Sequence, residues 1–263
     1  MPHVRLLPPA EYARALPFAL RDPLADALLV ADLTQLADVC RAVVAEQDDE
    51  IVGLATLVGH LPFPAVALRA PNATILQALL GQLAQVDPRL RQRSTWCLAH
   101  AETLAQLRQV THVLQAEEEY KMTVDWADLA PTQPVETTPL GPPDQAAIEA
   151  LFAASPAMAW SPRSLGVCPH RGVYRDGLLV AIAGTQFCTP WVAELGSIST
   201  HPAYRRRGFA AACVHDVVAD LRDHVERVFL MVFVTNEPAV ALYRKLGFRE
   251  RGRMWLTEFR LVG

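Results

Sequence analysis

The sequence predicts a mixed α/β protein built from two diverged copies of one domain. Three observations carry this reading. In the second half, strand-like apolar runs alternate with helical patterns and end in an antiparallel pair. Five prolines between Pro131 and Pro143 form a stretch that neither helix nor central strand tolerates, and they divide the chain into near-equal halves. Segments of the first half also recur in the second. Ala101–Leu107 lies 135 residues before Asn236–Leu242, and the same offset carries Glu119–Val124 onto Met254–Phe259. Asp49–Gly53 resembles Asp176–Val180 at a different offset, which implies a loop of altered length. The expected domains are therefore residues 1–130 and 131–263.

Element by element, the second half opens with a helical pattern from Gln145 to Phe152. Gly172–Tyr174 and Leu178–Phe187 read as a hairpin about the turn Arg175-Asp176-Gly177. Ala193–Ser199 reads as a third strand. Arg207–Leu221 reads as a helix, with Ala210, Cys213, Val214, Val217, Val218 and Leu221 on one face. Val228–Val234 is apolar almost throughout, as a strand covered on both faces must be. Pro238 suits the first turn of a short helix to Leu246, and Gly247 suits the left-handed residue that ends it. Phe248–Arg251 and Met254–Arg260 read as closing strands.

Bulk composition narrows the function classes. At 51% hydrophobic and 20% charged residues, the 263-residue chain can bury its cores. A net charge of −4 offers no footprint for nucleic acid or an anionic membrane. The five cysteines are odd in number and lack CxxC spacing. A disulfide framework and a zinc or other metal site are accordingly not expected, and a reducing compartment is. The N-terminus has no apolar core of signal-peptide type, and no apolar run approaches a membrane span of about 20 residues. The expected setting is the cytoplasm.

The chemistry concentrates at Ser199-Thr200-His201-Pro202-Ala203-Tyr204-Arg205-Arg206-Arg207-Gly208-Phe209-Ala210. Here a buried strand ends, a polar turn follows and a long helix begins. The first amides of a helix have no intrahelical partners, and with the helix dipole they form an anion site. Gly208 lets a phosphate approach the main chain, Ala210 is small for the same reason, and three arginines can pair with phosphate oxygens. Taken by composition alone, Arg205–Arg207 reads equally well as a solvated basic patch; the strand-turn-glycine-helix context favours phosphate.

Arg205-x-x-Gly208-x-Ala210 resembles the Arg/Gln-x-x-Gly-x-Gly/Ala signature of the GNAT superfamily of N-acetyltransferases. The similarity extends to His201-Pro202-x-Tyr204 before it and to Asn236-Glu237-Pro238-Ala239-x-x-Leu242-Tyr243-x-x-Leu246-Gly247-Phe248, which looks like that family's second motif. The resemblance implies tandem GNAT-like domains, each a mixed, mostly antiparallel sheet with flanking helices and a parallel strand pair that splays apart. It implies acetyl-CoA, or another short acyl-CoA, as co-substrate. The amides of Arg206, Arg207, Gly208, Phe209, Ala210 and Ala211 would cradle its pyrophosphate, with Arg205 leading the motif. The strand edge at Ile198, Ser199 and Thr200 would hold the pantetheine arm. Asn236 would meet that arm or support the turn. Tyr243 matches the family's general acid, although Ala239, Leu242, Tyr243 and Leu246 would also make one core-facing helical stripe. Glu194, fourteen residues before Gly208, is the candidate base and reads equally well as a strand-end charge. His170 and His201 lie outside this set.

The implied reaction is direct transfer of acetyl to a primary amine. A small-molecule amine or amino acid is the first choice of acceptor and a protein N-terminus or lysine the second. No nucleic acid or membrane partner is implied, and the chain would act as monomer or homodimer. The alternative is a non-catalytic acyl-CoA-binding sensor or interaction module. In the first half, Leu68–Leu76 occupies the place of the phosphate turn without its glycine, Arg108 replaces the tyrosine and His112 replaces Gly247. That half is expected to keep the fold without the chemistry.

Overall fold

The computed structural model describes residues 2–157 and 160–262. The chain forms two compact units. Unit one comprises Met1–Glu119 with Arg253–Gly263, and unit two comprises Tyr120–Gly252.

Unit one contains β1 (His3–Leu7), α1 (Tyr12–Ala19), α2 (Ala27–Leu33), β2 (Cys40–Gln47), β3 (Glu50–Val58) and β4 (Ala65–Arg69). These are followed by α3 (Ala73–Val86), the single turn α4 (Arg89–Gln92), β5 (Thr95–Ala99), α5 (Ala101–Val110) and the first part of β6 (Thr111–Val124). β1 to β4 pair antiparallel in sequence order, and β4 meets β5 in parallel at Ala65↔Trp96. Beyond β5 the sheet is completed by the end of the chain, with Trp255–Phe259 antiparallel to Thr95–Ala99. Leu76, Leu79, Leu80 and Leu83 of α3 are at most 1% exposed and pack on Val43, Ala45 and Ala55 of the sheet. Each such burial contributes about 1.5–3 kcal/mol.

Unit two contains the end of β6, β7 (Thr138–Pro139), α6 (Gln145–Ala154), β8 (Arg171–Arg175), β9 (Leu178–Cys188) and β10 (Val192–Thr200). It continues through α7 (Phe209–Leu221), β11 (Arg227–Phe233), α8 (Glu237–Lys245) and the start of β12 (Arg249–Leu261). The strand order is β6-β11-β10-β9-β8-β7. One face of this sheet receives Cys213, Val214, Val217, Val218 and Leu221 of α7, all 0–1% exposed. Ile148 and Leu151 of α6 pack against Leu179 and Ile182 in a separate cluster.

The order hairpin, strand, helix, strand, helix, strand therefore occurs twice. Both hairpins turn on two residues with positive φ, Asp48-Asp49 (52° and 63°) and Asp176-Gly177 (51° and 77°). That is the type I′ geometry whose twist matches the flanking strands. The equivalence sets Asp48 against Asp176, one residue away from the match read in the sequence.

Two expectations are corrected. The closing strands form a single strand, because Gly252 keeps a negative φ and does not interrupt the extended backbone. Cys168 and Cys188 are joined in a disulfide while Cys40, Cys97 and Cys213 remain free and buried. The bond links a loop to a strand end 20 residues away, a proximity created by the hairpin between them that no local spacing announces.

Candidate active site

β10 and β11 pair in parallel from Val192↔Arg227 through Ala193↔Val228 and Glu194↔Phe229 to Leu195↔Leu230. The pairing ends there, while β10 continues to Thr200 and β11 to Phe233. A bulge explains how β10 leaves its parallel neighbour while staying paired with β9. The antiparallel register passes from Gly196↔Gly184 to Ser199↔Ile182, which leaves one extra residue on β10, and Ser197 takes a φ of 54°. Such a bulge bends its own strand. Glu194, Ile198 and Thr200 are partly exposed, whereas Leu195 and Ser199 are buried.

β10 runs into a short 3-10 turn at Pro202–Tyr204, which His201 caps by accepting a hydrogen bond from the Ala203 amide at 3.3 Å. His201 is thus a structural residue of the turn. Arg206 at φ 62° and Gly208 at φ 79° then turn the chain sharply into α7. Gly208 is the N-cap of that helix and supplies no side-chain cap. The amides of the first turn of α7 therefore keep their donors for an outside acceptor. A Cβ built on Gly208 would find only Gln133 Oε1, at 3.7 Å. The space above the turn is open.

The arginines divide their work. Arg205 donates through Nε to the Thr200 carbonyl at 3.3 Å and through its terminal nitrogen to Ser155 Oγ at 3.2 Å. Ser199 Oγ donates in turn to the Ser155 carbonyl at 2.8 Å. Arg205 and Ser199 thereby brace the end of β10 against the end of α6. Arg207 lies over the Tyr204 ring, its Cζ 5.0 Å from the centroid, and reaches the Ala203 carbonyl at 3.3 Å. Arg206 is exposed. Ser155 carried no signal in the sequence, because its partners lie about fifty positions away and only the tertiary fold brings them together.

Asn236 caps α8, accepting from the Ala239 amide at 3.3 Å. Of its two sequence readings, turn support is the one this geometry contains. Tyr243 is 6% exposed and tilted against Phe248, with ring centroids 6.0 Å apart. Its desolvated surroundings push the phenol up to about 12. It therefore stays protonated at neutral pH. Gly247 ends α8 at φ 95°, and a Cβ there would sit 2.0 Å from the Asp128 carbonyl oxygen. No larger residue fits that position without backbone movement.

Unit one has the same strand-helix frame with different ends. α3 begins after Asn72, whose side chain accepts from the Ile75 amide at 3.0 Å. One of the donors a phosphate would use is already occupied. Gln106 of α5 donates to the Ala70 carbonyl at 3.2 Å, and Arg69 at the end of β4 pairs with Asp26 at 3.1 Å. His100, after β5, lies 3.1 Å from the Ala25 carbonyl. The first turn of α3 thus has a side-chain cap where that of α7 has none. Among the described residues no cluster of His, Cys, Asp and Glu could hold a metal ion, and no helix is long and apolar enough to cross a membrane.

With this geometry in hand, residues 131–248 match the profile of the acetyltransferase (GNAT) family. Residues 131–248 are thus similar to a GNAT acetyltransferase domain. Solved GNAT structures share the chain's fold. A GNAT-family chain from Novosphingobium aromaticivorans is 25% identical over 80% of this chain and 89% of its own, with a TM-score of 0.61. A tandem GNAT protein from the clavulanic acid biosynthesis pathway is 15% identical and covers 99% of both chains, with a TM-score of 0.69. A Drosophila protein, 14% identical over 100% of this chain and 99% of its own, superposes with a TM-score of 0.75. No curated protein matches the sequence. The fold likeness to a tandem GNAT protein accords with the order of elements that the two halves repeat.

Proposed function

We propose that the chain transfers an acyl group, acetyl in the first instance, from a coenzyme A thioester to a primary amine, by direct attack in unit two. The observation that carries this is the uncapped N-terminus of α7 behind Gly208, set at the end of a strand whose parallel pairing stops at Leu195↔Leu230. The amides from Arg206 to Ala211 bind the pyrophosphate. Ile198, Ser199 and Thr200, past the point where the parallel pairing stops, offer main-chain groups to the pantetheine arm. Arg205 acts by holding the Ser155–Thr200 brace and Arg207 by adding charge beside the turn.

Attack by the amine releases a thiolate, and Tyr243 supplies the proton. A phenol pushed up to about 12 stays protonated at neutral pH and so holds a proton for the departing sulfur as the C–S bond breaks. Glu194 takes the proton that the amine must lose, since a free lysine-type amine is protonated below about pH 10. Holding donor and acceptor together supplies much of the rate, so no covalent acyl-enzyme is needed. The acceptor is a small-molecule amine or amino acid before a protein amine. Incubation with labelled acetyl-CoA and a panel of amines, read by mass spectrometry, tests the reading. Tight coenzyme A binding with no label transferred to any amine would instead support an acyl-CoA-binding sensor.

A further inference from the structure

The cysteines fall into two kinds. Cys40, Cys97 and Cys213 are free and buried, and burial pushes the thiols of Cys97 and Cys213 up to about 12. Such groups carry almost no thiolate near neutral pH and are shielded from reagents. Cys168 and Cys188 are bonded, with Cα atoms 5.9 Å apart, within the span a disulfide needs. Cys168 is 5% exposed, whereas Cys188, at the end of β9, is partly open to solvent.

The bond sits at a telling place. Cys188 pairs with Ala193, and the preceding Phe187 pairs with Glu194. Cys168 belongs to segment 160–170, which leads from α6 towards β8. This segment lies along the part of β9 that extends past β8. Thr185 Oγ donates to the Pro169 carbonyl at 2.8 Å. The His170 ring covers Gly184, so closely that a Cβ there would lie 2.2 Å from a ring carbon. Burial lowers the His170 pKa and keeps the ring neutral. In the tautomer protonated at Nδ1 it donates to the Cys168 carbonyl at 2.9 Å and faces Ser164 Oγ at 3.3 Å through Nε2. At the apex the Val167 and Cys168 amides donate to the Ser164 carbonyl at 3.2 and 2.9 Å, Gly166 takes a φ of 78°, and Val167 is 62% exposed. The disulfide is the covalent anchor of that apex.

We propose that Cys168–Cys188 is a thiol–disulfide exchange site whose state sets the order of segment 160–170, and with it access of the acceptor amine to Glu194. The co-reactant is a low-molecular-weight thiol. Its thiolate attacks Cys188 Sγ, the more open sulfur; the Cys168–Cys188 bond breaks, and Cys168 leaves as a thiolate that takes up a proton. A second thiol attacks the mixed disulfide, releasing Cys188 as a thiol and the small molecule as its own disulfide. That small disulfide re-forms the bond by the reverse exchange. The cofactor turn at Arg205–Ala211 takes no part. The claim about the acceptor rests on the function proposed above; the exchange chemistry does not.

Full-length protein is treated with reduced or oxidised glutathione, desalted, and labelled without denaturant with N-ethylmaleimide. Peptide mass spectrometry then counts the modified cysteines. We expect label on Cys168 and Cys188 after the reduced form and on neither after the oxidised form, with the other three unlabelled throughout. Hydrogen exchange in segment 160–170 should quicken at least tenfold on reduction, while residues 205–215 keep their rates. Cys188→Ser should show the fast exchange without reductant and ignore glutathione. Label at both sites after the oxidised form, or a reduced segment exchanging at the oxidised rate, overturns the proposal. With an amine substrate in hand, reduction should change its KM and leave that of acetyl-CoA alone; a shift in both, or in neither, overturns the acceptor link. If no amine is acetylated, the labelling and exchange arms still decide the redox claim.

Discussion

Replacing Gly208 with glutamate separates binding from folding at the phosphate turn. The turn holds this residue at φ 79°, where an L side chain costs about 1–2 kcal/mol. No clash is added, because the nearest heavy atom to a Cβ is 3.7 Å away. The variant should therefore fold with a modest loss of stability. Its carboxylate would stand about 5 Å from a pyrophosphate seated on the first amides of α7, and at an effective dielectric constant of about 20 each unit of like charge there costs roughly 3 kcal/mol. Kd for coenzyme A should rise at least about a hundredfold. Gly208→Ala carries the same backbone cost without the charge and should lose far less. Calorimetric titration of both variants tests this, with melting curves as the folding control. The excess loss in the glutamate variant should shrink in about 0.5 M salt, where screening reaches only a few ångströms. Equal losses in the two variants would refute the electrostatic part of the argument, and an unchanged Kd in a folded glutamate variant would remove the phosphate from this turn.

Tyr243→Phe keeps the packing against Phe248 and removes the proton, so turnover should drop by roughly 10²–10⁴-fold with cofactor affinity nearly constant; full turnover would make Tyr243 a core residue only. Glu194→Gln should slow the reaction most at low pH, where the amine is largely protonated, and recover partly at high pH; a pH–rate profile parallel to wild type would argue against a base at this position. Titration with acetyl-CoA should saturate at one equivalent per chain, because Asn72 already occupies the Ile75 amide in unit one; a second site of similar affinity there would contradict this. Asp32 is buried in unit one with its carboxylate on Thr56 Oγ, and burial raises it from 3.8 to about 7. Proton binding therefore favours the fold: the contribution is complete below about pH 4 and is lost as pH rises through 7, a difference of roughly 4 kcal/mol at most. Asp32→Asn should flatten that dependence in denaturant melts and gain most above pH 7, and a variant that keeps the wild-type slope would refute it.

Much of this architecture could be read from local sequence because local physics sets it. The apolar stripe of α7, a hairpin turn within Arg175-Asp176-Gly177 and the glycine that closes α8 are each fixed by neighbours within a few positions. The turn at Arg205–Ala210 was legible for the same reason, since a strand end, a glycine and a helix start lie within twelve residues. What stayed hidden depends on distant partners. Ser155 matters only once α6 lies beside the end of β10. The disulfide needs the β8–β9 hairpin to bring its cysteines together. Arg205, read as part of a phosphate motif, spends its side chain on the brace, a choice that no spacing rule encodes.

The last strand of unit one is drawn from the far end of the chain, after the whole of unit two has been made. A ribosome delivering residues in order therefore cannot finish the first unit before the second exists. Truncation at the proline-rich stretch would leave β5 with an open edge, its N–H and C=O groups free to pair with other chains. A fragment cut at the proline-rich stretch lacks Trp255–Phe259, the strand that pairs with β5.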